Sequence, residues 1–189
     1  RGVSLLRERD FALLAASIGV SALGDWIAAV ALILRVQSMT DSGLAVSALL
    51  ICLWAPSVLL AGHVGVLVDR VETTRLLAVV ALAQTVLAAA LGFVDSAAAI
   101  LVLAALLGVG FAVSQAAEFA LVPVVARGRT KEANGHVETA RYVGFTVGPV
   151  LGGVLAATGG TSTAMLVNAA TFLFVAVVAL SLRVRRPPA

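Results

Sequence analysis

The chain has 189 residues, 61% of them apolar and 12% charged, with a mean hydropathy of +1.08 and a formal net charge of +3. A soluble domain is about 45–50% apolar and about 25% charged, so composition argues against a water-soluble fold. The pI near 10.0 does not point to nucleic acid, because the bases sit in short segments between apolar runs, and the lone Cys52 excludes an intrachain disulfide.

A membrane-spanning helix needs about 20 predominantly apolar residues, and six such stretches follow one another. Residues 1–10 form a charged lead-in, beginning at Arg1 rather than Met, which implies further residues upstream. Span 1 is expected at 11–35, interrupted only by Asp25, and span 2 at 43–67. A knot of charge follows, Gly62-His-Val-Gly-Val-Leu-Val-Asp69-Arg70-Val-Glu-Thr-Thr-Arg75, short enough to turn the chain at a water interface. Span 3 is expected at 76–94, and span 4 at 97–124, ending near Pro123 before the basic loop Arg127–Glu132. Residues 142–182 carry no charge; they contribute to span 5 (135–157) and span 6 (163–182), separated by Thr158-Gly-Gly-Thr-Ser-Thr163. The tail 183–189 reads as the start of a cytoplasmic linker. Continuous runs without alternation favour helices over a β-barrel.

Lys and Arg concentrate in cytoplasmic loops. With the N-terminus inside, Arg1, Arg7, Arg9, Arg70, Arg75, Arg127, Arg129, Lys131, Arg183, Arg185 and Arg186 all fall inside, and the outer loops 36–42, 94–97 and 158–163 hold no base. Both termini are therefore expected in the cytoplasm. Shifting the chain by 93 positions lays Ser21, Asp25 and Trp26 on Ser114, Glu118 and Phe119, and Pro56 on Pro149. Three spans separate the copies, which makes the second copy upside down. Inverted three-span repeats are a transporter architecture.

Ionisable residues inside a span are costly and are functional candidates by default. Ser17, Ser21 and Asp25 share one helical face at i, i+4, i+8, and Gly110, Ser114 and Glu118 repeat that geometry. Desolvation favours a carboxylate's neutral form, so Asp25 or Glu118 could carry a proton. The alternatives are a cap or interhelical tie for Asp25, and for Glu118 an ion pair with Arg141, which lies at a similar depth. Trp26 either lines a cavity for apolar cargo or packs in the core. His63 and His136 read as interface residues, and Arg35 as snorkelling to the outer surface.

Two stretches carry a family likeness. Gly65, Asp69 and Arg70 match the loop signature Gly-x-x-x-Asp-Arg-x-Gly-Arg-Arg, although Glu72 replaces the second Gly, Thr73-Thr74 replace the basic pair, and Arg75 comes one place late. Gly144-Phe-Thr-Val-Gly148-Pro149-Val-Leu-Gly152-Gly153 matches Gly-x-x-x-Gly-Pro-x-x-Gly-Gly at every fixed position. Gly144, Gly148 and Gly152 form a stripe that lets a neighbouring helix approach, and Pro149 allows a bend. On these motifs the chain resembles the N-terminal six-span half of a major facilitator superfamily transporter, with most similarity to its macrolide-efflux and enterobactin-exporter-like branch. The resemblance implies a 3+3 inverted repeat, efflux of a small amphipathic molecule by alternating access, proton coupling, and residence in the plasma (inner) membrane. It also implies a second six-span half, downstream or as another copy, and a conformational role for Asp69 and Arg70 at the inner surface. The altered basic pair implies a weaker inner latch. No Gly-x-x-x-x-Gly-Lys-Ser/Thr pattern is present, which removes an integral ATP motor; no cofactor or metal is expected. Two other readings are a membrane scaffold without transport and an intramembrane serine protease built on Ser21 and His63.

Overall fold

The computed structural model describes residues 5–188, and these form an all-α bundle. Arg1 and Ala189, which enter the expectations above, lie outside the described residues. A 3-10 turn at Leu5–Arg7 precedes α1 (Arg9–Thr40), α2 (Gly43–Leu59), α3 (Ala61–Arg70), α4 (Thr73–Leu91), α5 (Ala97–Ala126) and α6 (Thr130–Ser181). By length and composition α1, α4, α5 and α6 can each cross a membrane, and α2 with α3 makes a further candidate span bent by 57°. The protein is therefore an integral membrane protein with a multi-spanning helical bundle.

Helix α6 is too long to be one straight crossing. Its 52 residues would extend about 78 Å at ~1.5 Å per residue, more than twice a hydrocarbon core of about 30 Å. Both of its ends meet the start of α1: His136 packs edge-on against Phe11 with ring centroids 6.1 Å apart, and Arg9 donates to the Ser181 carbonyl at 3.2 Å. The helix therefore doubles back. The reversal sits at Gly160 (φ 73°, ψ 170°), a conformation essentially restricted to glycine. The six-residue loop expected at 158–163 contracts to this one non-helical residue, and the backbone stays helical through Pro149.

Other boundaries shift for local reasons. α1 continues past residue 35 to Thr40, where Asp41 enters the left-handed region and donates its N–H to the Gln37 carbonyl. The straight span expected at 43–67 is broken at Leu60, four residues after Pro56, although the Leu60 N–H still donates to the Pro56 carbonyl. α4 starts at Thr73 because the Glu72 carboxylate accepts from the N–H groups of Thr74 and Arg75. α5 runs through Pro123 to Ala126 before Arg127 turns left-handed.

Packing divides the interior into two apolar clusters. One, at the end of the bundle holding residues 5 and 182, contains Phe11, Leu14, Ile18, Leu77, Leu121 and Val175. The other contains Ile27, Leu32, Leu91, Ile100, Leu107, Met165 and Phe172. Along α1 and α4 the clusters are separated by buried polar residues, Ser21 and Gln84, and Ser114 on α5 hydrogen-bonds to Gln84. The far end is stitched by Arg35, which pairs with Asp95 at 2.8 Å and donates to the Leu91 carbonyl at 3.0 Å.

Candidate functional site

Between the clusters lies a cavity of about 280 Å³. Its wall includes Ser21, Asp25 and Trp26 from α1, Ser114 and Glu118 from α5, and Arg141 from α6. The two polar stripes related by the 93-residue shift thus converge on one space. Ser17 lies apart, buried, with its hydroxyl donating to the Leu14 carbonyl. Arg141 Nη2 meets Glu118 Oε2 at 3.1 Å, and its guanidinium lies 4.8 Å from the centroid of Phe119. Glu138 stands 3.9 Å from Arg141 Nε, within ion-pair range but too far for a hydrogen bond. Asp25, Glu118 and Glu138 all line the cavity, and among the described residues only Glu118 and Glu138 come within ion-pair range of the guanidinium. Neither a cap nor an interhelical hydrogen bond holds Asp25: among the described residues no hydrogen bond to its carboxylate is formed.

The opposite character comes from aromatic rings. Trp26 packs edge-on against Phe145 at 4.6 Å and tilted against Trp54 at 5.5 Å. Two buried amides complete the lining. Gln84 Oε1 accepts from the Ser114 hydroxyl at 2.7 Å, while Gln84 Nε2 and Asn168 Nδ2 have no hydrogen-bond partner among the described residues. Buried donors left unpaired are costly, so both are available to acceptors within the cavity. Sequence reasoning missed Trp54, Gln84, Phe145 and Asn168. Gln84 and Asn168 were signalled as lone amides in otherwise apolar spans.

The glycine stripe closes α6 onto α1. A Cβ on Gly144 would lie 2.7 Å from the Leu23 nitrogen, one on Gly148 2.6 Å from Trp26 Cβ, and one on Gly152 2.7 Å from the Ile27 carbonyl oxygen. The stripe sets the depth of Trp26 in the cavity wall. Gly153 faces open space and Pro149 is half-buried, so neither makes this contact. A contact of the same kind was missed at Gly108, whose Cβ position lies 2.5 Å from the Cys52 carbonyl oxygen on α2.

The loop motif lies at the other end of α3, away from the cavity. Gly65, Asp69, Arg70 and Arg75 are all exposed, and a Cβ on Gly65 would touch nothing within 4 Å. Thr73 and Thr74, in the place of the basic pair, are buried beneath the C-terminal tail. The Glu72 carboxyl is raised by partial burial, but the Thr74 hydroxyl and amide, the Arg75 amide and the Arg185 charge outweigh this and hold it below the usual carboxylate range. His63 is exposed on α3 and Ser21 is buried in the cavity wall, and among the described residues no hydrogen bond joins them. The protease reading fails on that separation.

A bundle of membrane-crossing helices around a part-polar, part-aromatic cavity defines a membrane transport protein. The family model described as Major Facilitator Superfamily matches residues 14–189, and the chain belongs to that superfamily. Its general function is transport of that superfamily's type, in keeping with a protein that is not an enzyme. Comparison with curated proteins finds none that matches.

Proposed function

We propose that the chain is a six-span bundle of a secondary active transporter that moves a small amphipathic molecule outward by alternating access, coupled to protons. The observation that carries this reading is the cavity itself, with Asp25 unbound on one wall, the Glu118–Arg141 pair on another and Trp26, Trp54 and Phe145 between them. Aromatic faces suit the apolar part of a substrate, and the unpaired amides suit its acceptor atoms. Asp25 carries the proton, with Glu118 and Arg141 as the coupling pair. In this reading the arms of α6 are spans 5 and 6, residues 183–189 begin a cytoplasmic linker, and the spans form a 3+3 inverted repeat. Both termini lie in the cytoplasm, and Asp69 and Arg70 govern the conformational cycle. The glycine motif of span 5 and the loop motif support the macrolide-efflux and enterobactin-exporter-like branch.

Reconstitution in vesicles with an imposed pH gradient tests the reading, with a trapped pH dye reporting proton movement as amphipathic molecules are added. Substrate-dependent proton flux is expected, and Asp25→Asn should abolish uphill movement while leaving downhill exchange. A folded Asp25→Asn protein with unchanged pH dependence would reject the proton role. The absence of flux with every substrate, while the protein stays folded and a second six-span body is supplied, would favour the scaffold reading.

A further inference from the structure

The loop motif lacks its basic pair in sequence, yet two guanidinium groups stand over it. Arg186 forks across the α3–α4 turn: Nη2 meets Asp69 Oδ1 at 2.7 Å, and Nη1 donates to the Val68 carbonyl at 3.1 Å and the Thr73 hydroxyl at 3.2 Å. Arg185 donates to the Thr74 hydroxyl at 2.8 Å and lies 3.8 Å from the Glu72 carboxylate. The backbone takes part as well. The Thr73 N–H, in the first turn of α4, donates to the Arg186 carbonyl at 3.1 Å. The N–H groups of Arg183 and Val184 both donate to Asp10 Oδ2 at 3.0 Å. Residues 183–186 thus run as a strap from the start of α1 to the α3–α4 loop.

We propose that Arg185 and Arg186 supply in space the basic pair missing at Thr73 and Thr74, and that they are positioning residues acting through Asp69 and the first turn of α4. This inference rests on the conformational role assigned to Asp69 above. Its mechanical basis is independent of that role. The 57° break at Leu60 lies between Trp54 on α2 and Asp69 on α3, so α3 is joined to the cavity wall by a hinge. Gln84, on the facing part of the wall, belongs to α4, whose first turn the same strap holds. Binding α3 and α4 together at the loop therefore anchors the far side of the break, which limits how far α2, and Trp54 with it, can swing from Gln84. The weaker latch expected from the loop sequence is offset by the tail.

Two measurements test the strap, and neither needs a substrate or a proton gradient. Amide hydrogen exchange reads the contact, because the Thr73 N–H has the Arg186 carbonyl as its partner and the Arg183 and Val184 N–H groups have Asp10. Iodide quenching reads the cavity, because the chain has 2 tryptophans and both line it. In Arg185→Ala/Arg186→Ala, exchange at Thr73 should rise by up to about fivefold, the upper factor for losing a partly exposed ion pair, and Trp quenching should rise with it. The charge exchange Asp69→Arg/Arg186→Asp should restore both towards the native values, while each single change should raise both. Arg186→Lys should restore exchange protection only in part, since an ammonium cannot reproduce the fork. Unchanged exchange in Arg185→Ala/Arg186→Ala would remove the strap. Raised exchange with unchanged quenching, in protein that keeps its helical content, would remove the positioning role. Failure of transport with both readouts as expected would instead count against the transport reading alone.

Discussion

At the scale of single residues, the glycines divide by what surrounds them rather than by their place in a motif. A Cβ on Gly148 would lie 2.6 Å from Trp26 Cβ, so Gly148→Ala forces α6 from α1 and should destabilise by about 1–3 kcal/mol, as overpacking does. Gly153, its motif partner, faces open space, and Gly153→Ala should be neutral or gain up to about 1 kcal/mol of helix propensity. Thermal unfolding in detergent compares the two, and equal loss in both would refute the packing argument. The buried ion pair gives a second contrast. Arg141→Met strands Glu118 and should cost about 3–5 kcal/mol, whereas Glu118→Gln/Arg141→Met should recover most of it. A double variant no more stable than Arg141→Met would show that Glu118 is held by something other than Arg141. Depth along neighbouring helices was enough to suggest this pair, because both residues interrupt apolar runs. The Gly108 contact was not legible: one glycine in an apolar run names no neighbour.

At the scale of elements, apolar runs locate helices well and their breaks poorly. Span 2 reads as one uninterrupted stretch because Leu59, Leu60 and Ala61 are as apolar as their neighbours, yet the chain bends there by 57°. Hydropathy measures transfer from water and carries no record of where the backbone leaves the helix. The reversal in α6 fails to register for the opposite reason. Six polar or small residues at 158–163 suggest a loop, but Thr158 and Thr163 return their hydroxyls to the carbonyls of Val154 and Gly159 and stay helical. The whole turn rests on Gly160. Gly160→Ala meets no steric obstacle outside its own backbone, so its penalty is conformational, of order 1–3 kcal/mol. The same change at Gly62, also in open space but helical, should not destabilise. Unfolding midpoints of the two variants decide the matter, and indifference at Gly160 would mean that the reversal is not strained by a side chain. The tail strap was beyond any reading of the sequence, since it joins residues 113 and 117 positions apart through side chains that look like ordinary interfacial bases.

At the scale of the whole molecule, the cavity is bounded by this chain on some sides only. Tyr142 and Phe145 line it and are 66% and 51% exposed, and Val150 and Val154 continue the same exposed arm of α6. Asp25, Glu118 and Arg141 surround that space, and insertion scales place a charged residue at about +2.5 to +3.5 kcal/mol at the centre of a lipid-facing helix. The ion pair offsets part of this for Glu118 and Arg141, while Asp25 has no such partner. Lipid is therefore a poor occupant of the open side, and we expect a second six-span body to cover it in the working transporter, either as continuing chain or as another copy. Dilution separates these cases. When the 189-residue chain is reconstituted at well below one copy per vesicle, no second copy can be present. If a second copy forms the other wall, proton-coupled transport should fall away faster than the chain density. If a continuing segment forms it, transport should be absent at every density and appear when that segment is supplied. Transport that stays proportional to density under these conditions would mean that one bundle encloses and carries its substrate unaided, and the need for a second body would be gone.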